Sequence, residues 1–219
     1  DTQEHEYLHA SDMDSDGDQD LVASTISPRQ IIWWENTDGL GQNWMQHDVS
    51  DSGIYLNGIV VVDMDSDTRP DILVGGASDA MIYWFENADG CGDQWSEHDI
   101  GIGHPRWDIY FNLIACDFNN DAATDVICVC TETERLIWWK NLDGLGTSWQ
   151  EYVIDDDYES CDFLAGDIDL DGDVDLISSY YTIYSPVRFV ENIDADTNTW
   201  EEHTLIEDLD VYMGRIFWD

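Results

Sequence analysis

The chain has 219 residues, and 49 Asp and Glu against 7 Lys and Arg leave a formal charge of −42. That balance excludes a phosphate-backbone binder, which needs basic side chains to displace counterions, and it disfavours docking on an anionic membrane. It does not imply disorder, because 43% of residues are hydrophobic and 12% aromatic, enough core for one domain or for part of one larger ring-like domain. No apolar run approaches the roughly 18 residues of a membrane span. No charged-then-apolar leader follows Asp1, so the expectation is a mature, soluble chain without membrane insertion.

In chain order, four acidic clusters begin at Asp12, Asp63, Asp117 and Asp167, spaced 51, 54 and 50 residues apart. Each is followed by an aromatic segment. The first, Ile31 to His47, carries Trp33-Trp34-Glu35-Asn36-Thr37-Asp38-Gly39 and returns as Met81 to His98, as Leu136 to Tyr152 and, degenerately, as Val187 to His203. Within the second unit every local signal is a strand signal: Asn57 to Val62 and Asp71 to Val74 are apolar, Met81 to Phe85 is aromatic and β-branched, and Trp95 to Ile100 alternates. The Asn-x-Asp-Gly segments beginning at Asn36, Asn87 and Asn141 supply residues that tolerate positive φ. No segment keeps a 3.6-residue period. Short antiparallel strands, four per fifty-residue unit, predict an all-β chain that forms a β-propeller of four-stranded blades. About four blades are expected in a single repeat domain over residues 1–219, with units near 12–62, 63–116, 117–166 and 167–218.

Adjacent Trp33 and Trp34 must point to opposite faces of a strand, so both faces need cover, as in a blade packed between two others. Trp44, Trp95, Trp149 and Trp200, with His47, His98 and His203, recur once per unit and are expected to serve blade packing. The five Cys are odd in number and lack a C-x-x-C pair. Cys128 and Cys130 would share one strand face as buried thiols, with a disulfide as the other reading.

The acidic clusters read D-x-D-x-D-G-x-x-D in loops one and four, with carboxylates at Asp12, Asp14, Asp16 and Asp20 and at Asp167, Asp169, Asp171 and Asp175. Loop two keeps Asp63, Asp65, Asp67 and Asp71 but has Thr68 where Gly is preferred. Loop three has Asp117, Asn119, Asp121 and Asp125, with Ala122 in the Gly place. Carboxylates at positions one, three, five and nine of a tight turn converge on one point, and a flexible all-oxygen site suits Ca²⁺. The backbone carbonyl at position seven (Asp18, Arg69, Ala123, Asp173) completes the expected set. About four Ca²⁺ are expected, one per repeat, with loops two and three weaker and loop three weakest. An EF-hand does not fit, because position twelve is Ala23, Val74, Cys128 or Ser178 instead of Glu, and strands flank the loop.

An apolar strand, D-x-D-x-D-G-x-x-D, a short apolar strand and an aromatic strand ending E-N-x-D-G resemble the FG-GAP/VCBS-type repeats of the integrin-α-like β-propellers. The resemblance covers nearly the whole chain. It implies calcium in the loop between the first two strands of each blade, rings of seven or eight blades, and a secreted or cell-surface protein. Such folds serve adhesion receptors, sugar-binding modules and polysaccharide lyases alike.

The first-strand pattern occurs a fifth time, as Gly214 to Trp218. That surplus strand suggests neighbouring blades of a larger chain, or self-association by strand donation. His104, Arg106, Trp107 and Asp108 break the repeat, but no recognised catalytic motif accompanies them, and an ordinary surface loop is expected there. Tyr55, Tyr110, Tyr158 and Tyr212 would line one propeller face, where a neutral or calcium-bridged carbohydrate is the expected kind of glycan partner. The function expected is a non-catalytic, extracellular calcium-binding module for adhesion or filament-type self-assembly; the alternative is a glycan-binding or glycan-cleaving propeller of a secreted enzyme. Four calcium ions would supply eight positive charges and leave −34. The remaining charge would then serve solubility.

Overall fold

The computed structural model describes residues 5–51, 53, 56–76, 81–102, 113–130, 135–156, 162–179, 187–195 and 198–206. They form four antiparallel four-stranded sheets in simple meander order, with no α-helix among the described residues. Sheet one contains β1 (His5–Ser11), β2 (Asp20–Thr25), β3 (Ile31–Glu35) and β4 (Met45–Ser50). Sheet two contains β5 (Leu56–Val62), β6 (Asp71–Gly76), β7 (Met81–Asn87) and β8 (Trp95–Ile102). Sheet three is β9 (Leu113–Cys116), β10 (Asp125–Cys130), β11 (Arg135–Asn141) and β12 (Trp149–Asp155). Sheet four is β13 (Asp162–Gly166), β14 (Asp175–Ser179), β15 (Val187–Asp194) and β16 (Thr199–Ile206). These are β-propeller blades, as the repeat predicts. Each sheet opens with the strand that precedes its acidic loop, so the sheets run one strand ahead of the sequence units.

First strands lie side by side, β1 against β5 and β5 against β9. The second and third strands of the two inner blades are buried on both faces, which is why they read as continuous apolar runs and do not alternate. In β6, Ile72 and Val74 pack back onto blade one beside Met13, Val22, Ile31 and Trp33. Leu73, between them in sequence, packs forward into blade three with Val126, Cys128, Ile137 and Trp139. The next pair of blades repeats the pattern: Ile127, Val129 and Trp138 meet Phe163, Leu176 and Val190. Trp138 and Trp139 therefore enter different inter-blade cores, as adjacent residues on a pleated strand must. The fourth strand is the outer edge, and β4 accordingly has no fully buried residue.

The two outward faces of the set differ from the three internal interfaces. Leu21 is 37% exposed, whereas its repeat equivalents Ile72, Val126 and Leu176 are all at 0%. At the other end Ile177 and Phe189 are only half-buried, against full burial of Ile127 and Trp138. Gly214 to Trp218, the residues 103–110 that hold His104, Arg106, Trp107 and Asp108, and Tyr55, Tyr158 and Tyr212 lie outside the described residues. So does Cys161. Cys128 is unbridged and fully buried, in line with the expectation for a small hydrophobe, and burial pushes the half-buried Cys116 thiol up to about 12.

The second glycine of the N-x-D-G-x-G turn in blades two and three is where each touches the blade before it. The Trp33 indole donates to Gly92 O at 3.1 Å, and a Cβ on Gly92 would lie 2.5 Å from that ring. Gly146 repeats the contact, its Cβ position 2.7 Å from the Trp84 ring. Gly144, two residues earlier, has nearly the same φ (+64° against +66°) but only Ala123 Cβ nearby, at 3.7 Å. Both Gly→Ala changes carry the same backbone strain, so their difference isolates the clash. We expect G146A to destabilise the chain by about 1–3 kcal/mol more than G144A in denaturant melts, the usual size of an overpacking penalty. Equal losses would show that this blade interface yields freely.

Candidate metal centres

Each acidic loop joins the first and second strands of its blade, and its backbone has the same form four times. Position four takes positive φ in all (Ser15 62°, Ser66 65°, Asn120 57°, Leu170 67°), and so does position six. Gly17 and Gly172 sit at 101° and 104°, while Thr68 and Ala122 are held at 72° and 70°. Lack of glycine in loops two and three thus adds conformational strain without preventing the turn. The first carboxylate braces it: Asp12 Oδ1 accepts from the Asp16 N–H at 3.1 Å and Oδ2 from Gly17 N–H at 3.1 Å. Asp63 and Asp117 do the same for their loops.

The ninth carboxylate is buried and ties the loop to the blade. Asp71, fully buried, accepts from Met64 N–H at 2.9 Å with one oxygen and from Asn87 N–H at 2.8 Å with the other. Asp20 and Asp175 repeat both bonds. Asp125 makes the bond to Asn141 N–H at 2.8 Å, while its Oδ2 has no hydrogen-bond partner. Burial pushes the Asp71 and Asp125 carboxyls up to about 7, against which their backbone donors pull only partly.

The Asn that receives this aspartate is itself a clamp between blades. Asn87 Nδ2 donates to Met13 O at 3.0 Å, Asn141 Nδ2 to Met64 O at 3.3 Å and Asn192 Nδ2 to Phe118 O at 3.3 Å. Each acceptor is position two of the preceding blade's acidic loop. Asn87 Oδ1 meanwhile accepts from Gly90 and Gly92 N–H. Sequence reasoning treats Asn-x-Asp-Gly as a turn former only. Positive φ does fall on Gly39, Gly90 and Gly144, but the Asn works through its side chain. The available signal was its recurrence 16 or 17 residues after every ninth aspartate.

Positions one, three and nine converge. Carboxylate oxygens of Asp12, Asp14 and Asp20 lie within 4.8 Å of one another, as do those of Asp63, Asp65 and Asp71 and those of Asp167, Asp169 and Asp175. These three triads are hard-oxygen sites able to hold a divalent cation. In loop one Asp18 Oδ1 is buried without a hydrogen-bond partner. The position-five carboxylates are turned elsewhere in two loops. Asp67 is gripped by the Arg69 guanidinium, which also donates to Ala88 O at 2.8 Å. Against the effect of burial, Arg69 holds the Asp67 carboxyl below its ordinary value. Asp121 accepts from Asn119 Nδ2 at 2.8 Å and has Lys140 Nζ at 3.4 Å. Loop three lacks a carboxylate triad because position three is Asn119, whose Oδ1 is buried and without a hydrogen-bond partner.

The recurrent aromatics and histidines make repeated contacts within their blades, although Trp44 is 41% exposed. His47 stacks on Trp33 at 4.2 Å between ring centroids and meets Glu35 Oε2 at 2.9 Å. His98 and His203 repeat both contacts, on Trp84 with Glu86 and on Phe189 with Glu191. Trp44, Trp95 and Trp149 donate to the carbonyls of Gly41, Gly92 and Gly146, locking the turn of their own blade.

The model of the FG-GAP-like repeat matches three times, over residues 12–74, 63–128 and 117–178. The chain belongs to the FG-GAP-like repeat family. Each match spans two successive acidic loops, so the family pattern covers all four. Among solved structures, the FG-GAP-like chain is similar in fold to a lectin from Agrocybe aegerita, described for its specific recognition of non-reducing terminal N-acetylglucosamine. The TM-score is 0.67 at 16% identity, with 94% of this chain and 53% of the lectin covered. The chain thus spans about half the length of that lectin. No curated protein sequence matches.

The raised carboxyls dictate a pH dependence for the metal-free protein. Asp71 faces Asp65 and Asp67, whose charges add to the effect of burial, and Asp125 faces Asp121 and Lys140. Their folded pKa of about 7 exceeds the unfolded carboxyl value of roughly 4, so the folded state holds more protons between those limits. Metal-free stability should therefore rise as pH falls from about 7 towards about 4, and be lost as pH rises through 7. Carboxyls held low, such as Asp67 and Asp121, act in the opposite sense below about 4. In chelator, the melting temperature should be higher at pH 5 than at pH 7.5, and the gap should shrink in Asp71→Asn. A lower melting point at pH 5 would contradict this account.

Proposed function

We propose that the chain is a non-catalytic, calcium-stabilised β-propeller module that works outside the cell in adhesion or self-assembly. The observation that carries this reading is the set of carboxylate triads at Asp12/Asp14/Asp20, Asp63/Asp65/Asp71 and Asp167/Asp169/Asp175. Three like charges within 4.8 Å repel, and a divalent cation with a taste for six to eight oxygens converts that repulsion into attraction. Arg69 partly neutralises loop two. A calcium-rich exterior suits such sites, and the large negative charge suits solubility there.

Calcium here is structural. It would hold each loop in the shape that presents its position-two carbonyl to the Asn clamp of the next blade, so loading one blade firms its junction with the next. The half-covered outer faces at Leu21 and at Ile177 and Phe189 favour association, either with further blades of a longer chain or with a second copy.

A glycan-binding reading, with or without cleavage of the glycan, draws support from the fold likeness to the lectin. It predicts retention on immobilised glycans. The module reading predicts none, and no turnover on a broad polysaccharide panel.

Millimolar Ca²⁺ should raise the melting temperature by several degrees and EGTA should reverse it. A free ligand at a hundred times its dissociation constant contributes about 2.7 kcal/mol. Asp14→Asn and Asp169→Asn should each remove part of the gain, whereas Asp93→Asn, an exposed control, should not. A melting temperature indifferent to chelator would refute the calcium reading. Light scattering and electron microscopy of the calcium-loaded protein then test association: persistent monomers at high micromolar concentration would refute it.

A further inference from the structure

We infer that the Lys140 ammonium is the built-in cation of the third acidic loop, so that this blade takes a lysine where the other three take a metal ion. The inference rests on the calcium reading of the other loops, and on a coordinated pair of changes in blade three.

In blades one, two and four, the residue before the clamp Asn is Glu35, Glu86 or Glu191, and each is paired with a His twelve residues later at 2.9, 2.8 and 2.6 Å. In blade three those two places hold Lys140 and Tyr152. Tyr152 keeps the ring stack, 5.0 Å from Trp138, but a phenol offers lysine no charge. Lys140 instead reaches the loop, with Nζ 3.4 Å from Asp121 Oδ2 and 5.8 Å from the Trp138 ring centroid. Its side chain is 18% exposed, which removes much of the solvent screening that weakens surface pairs. Lys140 is the chain's single lysine.

Loop one, with Asp12, Asp14, Asp16, Asp18, Asp20 and Glu35, presents six negative charges, and loop four, with Asp167, Asp169, Asp171, Asp173, Asp175 and Glu191, presents six. Loop two, with Glu86 and Arg69, keeps a net four. Loop three has Asp117, Asp121 and Asp125 against Lys140, a net two. Asn119 reinforces the difference by donating its Nδ2 to Asp121 at 2.8 Å, so the position-five carboxylate already has two side-chain donors facing it. Calcium affinity follows ligand charge and number. The ammonium both offsets part of the loop's charge and repels a divalent ion. Asn119 Oδ1, an acceptor without a hydrogen-bond partner, makes a fourth metal ion the competing occupant.

The test counts ions and measures stability on the whole chain. By calorimetric titration with Ca²⁺ and by native mass spectrometry, wild type should bind three equivalents. The double variant K140E/Y152H, which rebuilds the Glu–His pair of the other blades, should bind a fourth. In EGTA, Lys140→Met should lower the melting temperature by several degrees and Lys140→Arg should restore most of it. Four equivalents in wild type would overturn the inference, as would a Lys140→Met variant that melts like wild type in EGTA. No calcium bound by either protein, with the Lys140→Met loss intact, would overturn the calcium reading while supporting the lysine as the loop's cation.

Discussion

A buried carboxylate at the start of each blade's second strand organises this molecule. Asp20, Asp71, Asp125 and Asp175 are almost wholly out of water, where a charge is tolerable only with hydrogen-bond donors around it. Those donors are the backbone N–H of the Asn that ends the third strand, in all four blades, and a backbone N–H of the acidic loop for Asp20, Asp71 and Asp175. Satisfying one aspartate therefore fixes the loop against its own sheet. The same Asn reaches back to the preceding blade's loop, so the requirement is passed along the chain of blades.

Packing and polar bonding cooperate at these junctions. Each inter-blade core is filled by alternate residues of neighbouring strands, with Trp33, Trp84 or Trp138 at its centre and virtually no exposure. At the first two junctions the adjoining turn makes room for the indole with glycine: Gly92 and Gly146 sit where any Cβ would overlap the ring of Trp33 or Trp84. The turn that supplies the glycine also hosts the Asn clamp, so the apolar contact and the buried amide stand or fall together. This explains why turn, clamp and tryptophan recur as one block in the sequence.

The acidic loops follow one backbone design with different electrostatic endings. Loops one and four carry uncompensated carboxylates. Loop two has an arginine laid over its fifth position, and loop three has Asn119 and Lys140. The scaffold tolerates these endings because the first and ninth aspartates, which brace the turn and anchor it, are kept in all four. Positions three, six and seven, and the residue before the clamp Asn, are the ones that vary.

Much was legible in the sequence. A fifty-residue period, strand-type patterning and adjacent tryptophans require four-stranded blades covered on both faces, because pleating sends neighbours to opposite sides. Spaced carboxylates with glycine require a tight, oxygen-lined loop. Other features depended on which residues meet across distances that the sequence does not display. Asn87 meets Met13 O, 74 positions earlier, and Trp33 meets Gly92, 59 positions later. The ninth aspartate looked like one more ligand until its burial and two backbone donors made it an anchor as well. Lys140 is the single lysine of the sequence, and only the sheet places it beside Asp121. Local spacing determined the blade and its loop; only the packing of one blade on the next decided which polar groups lose water, and so which of them must find partners.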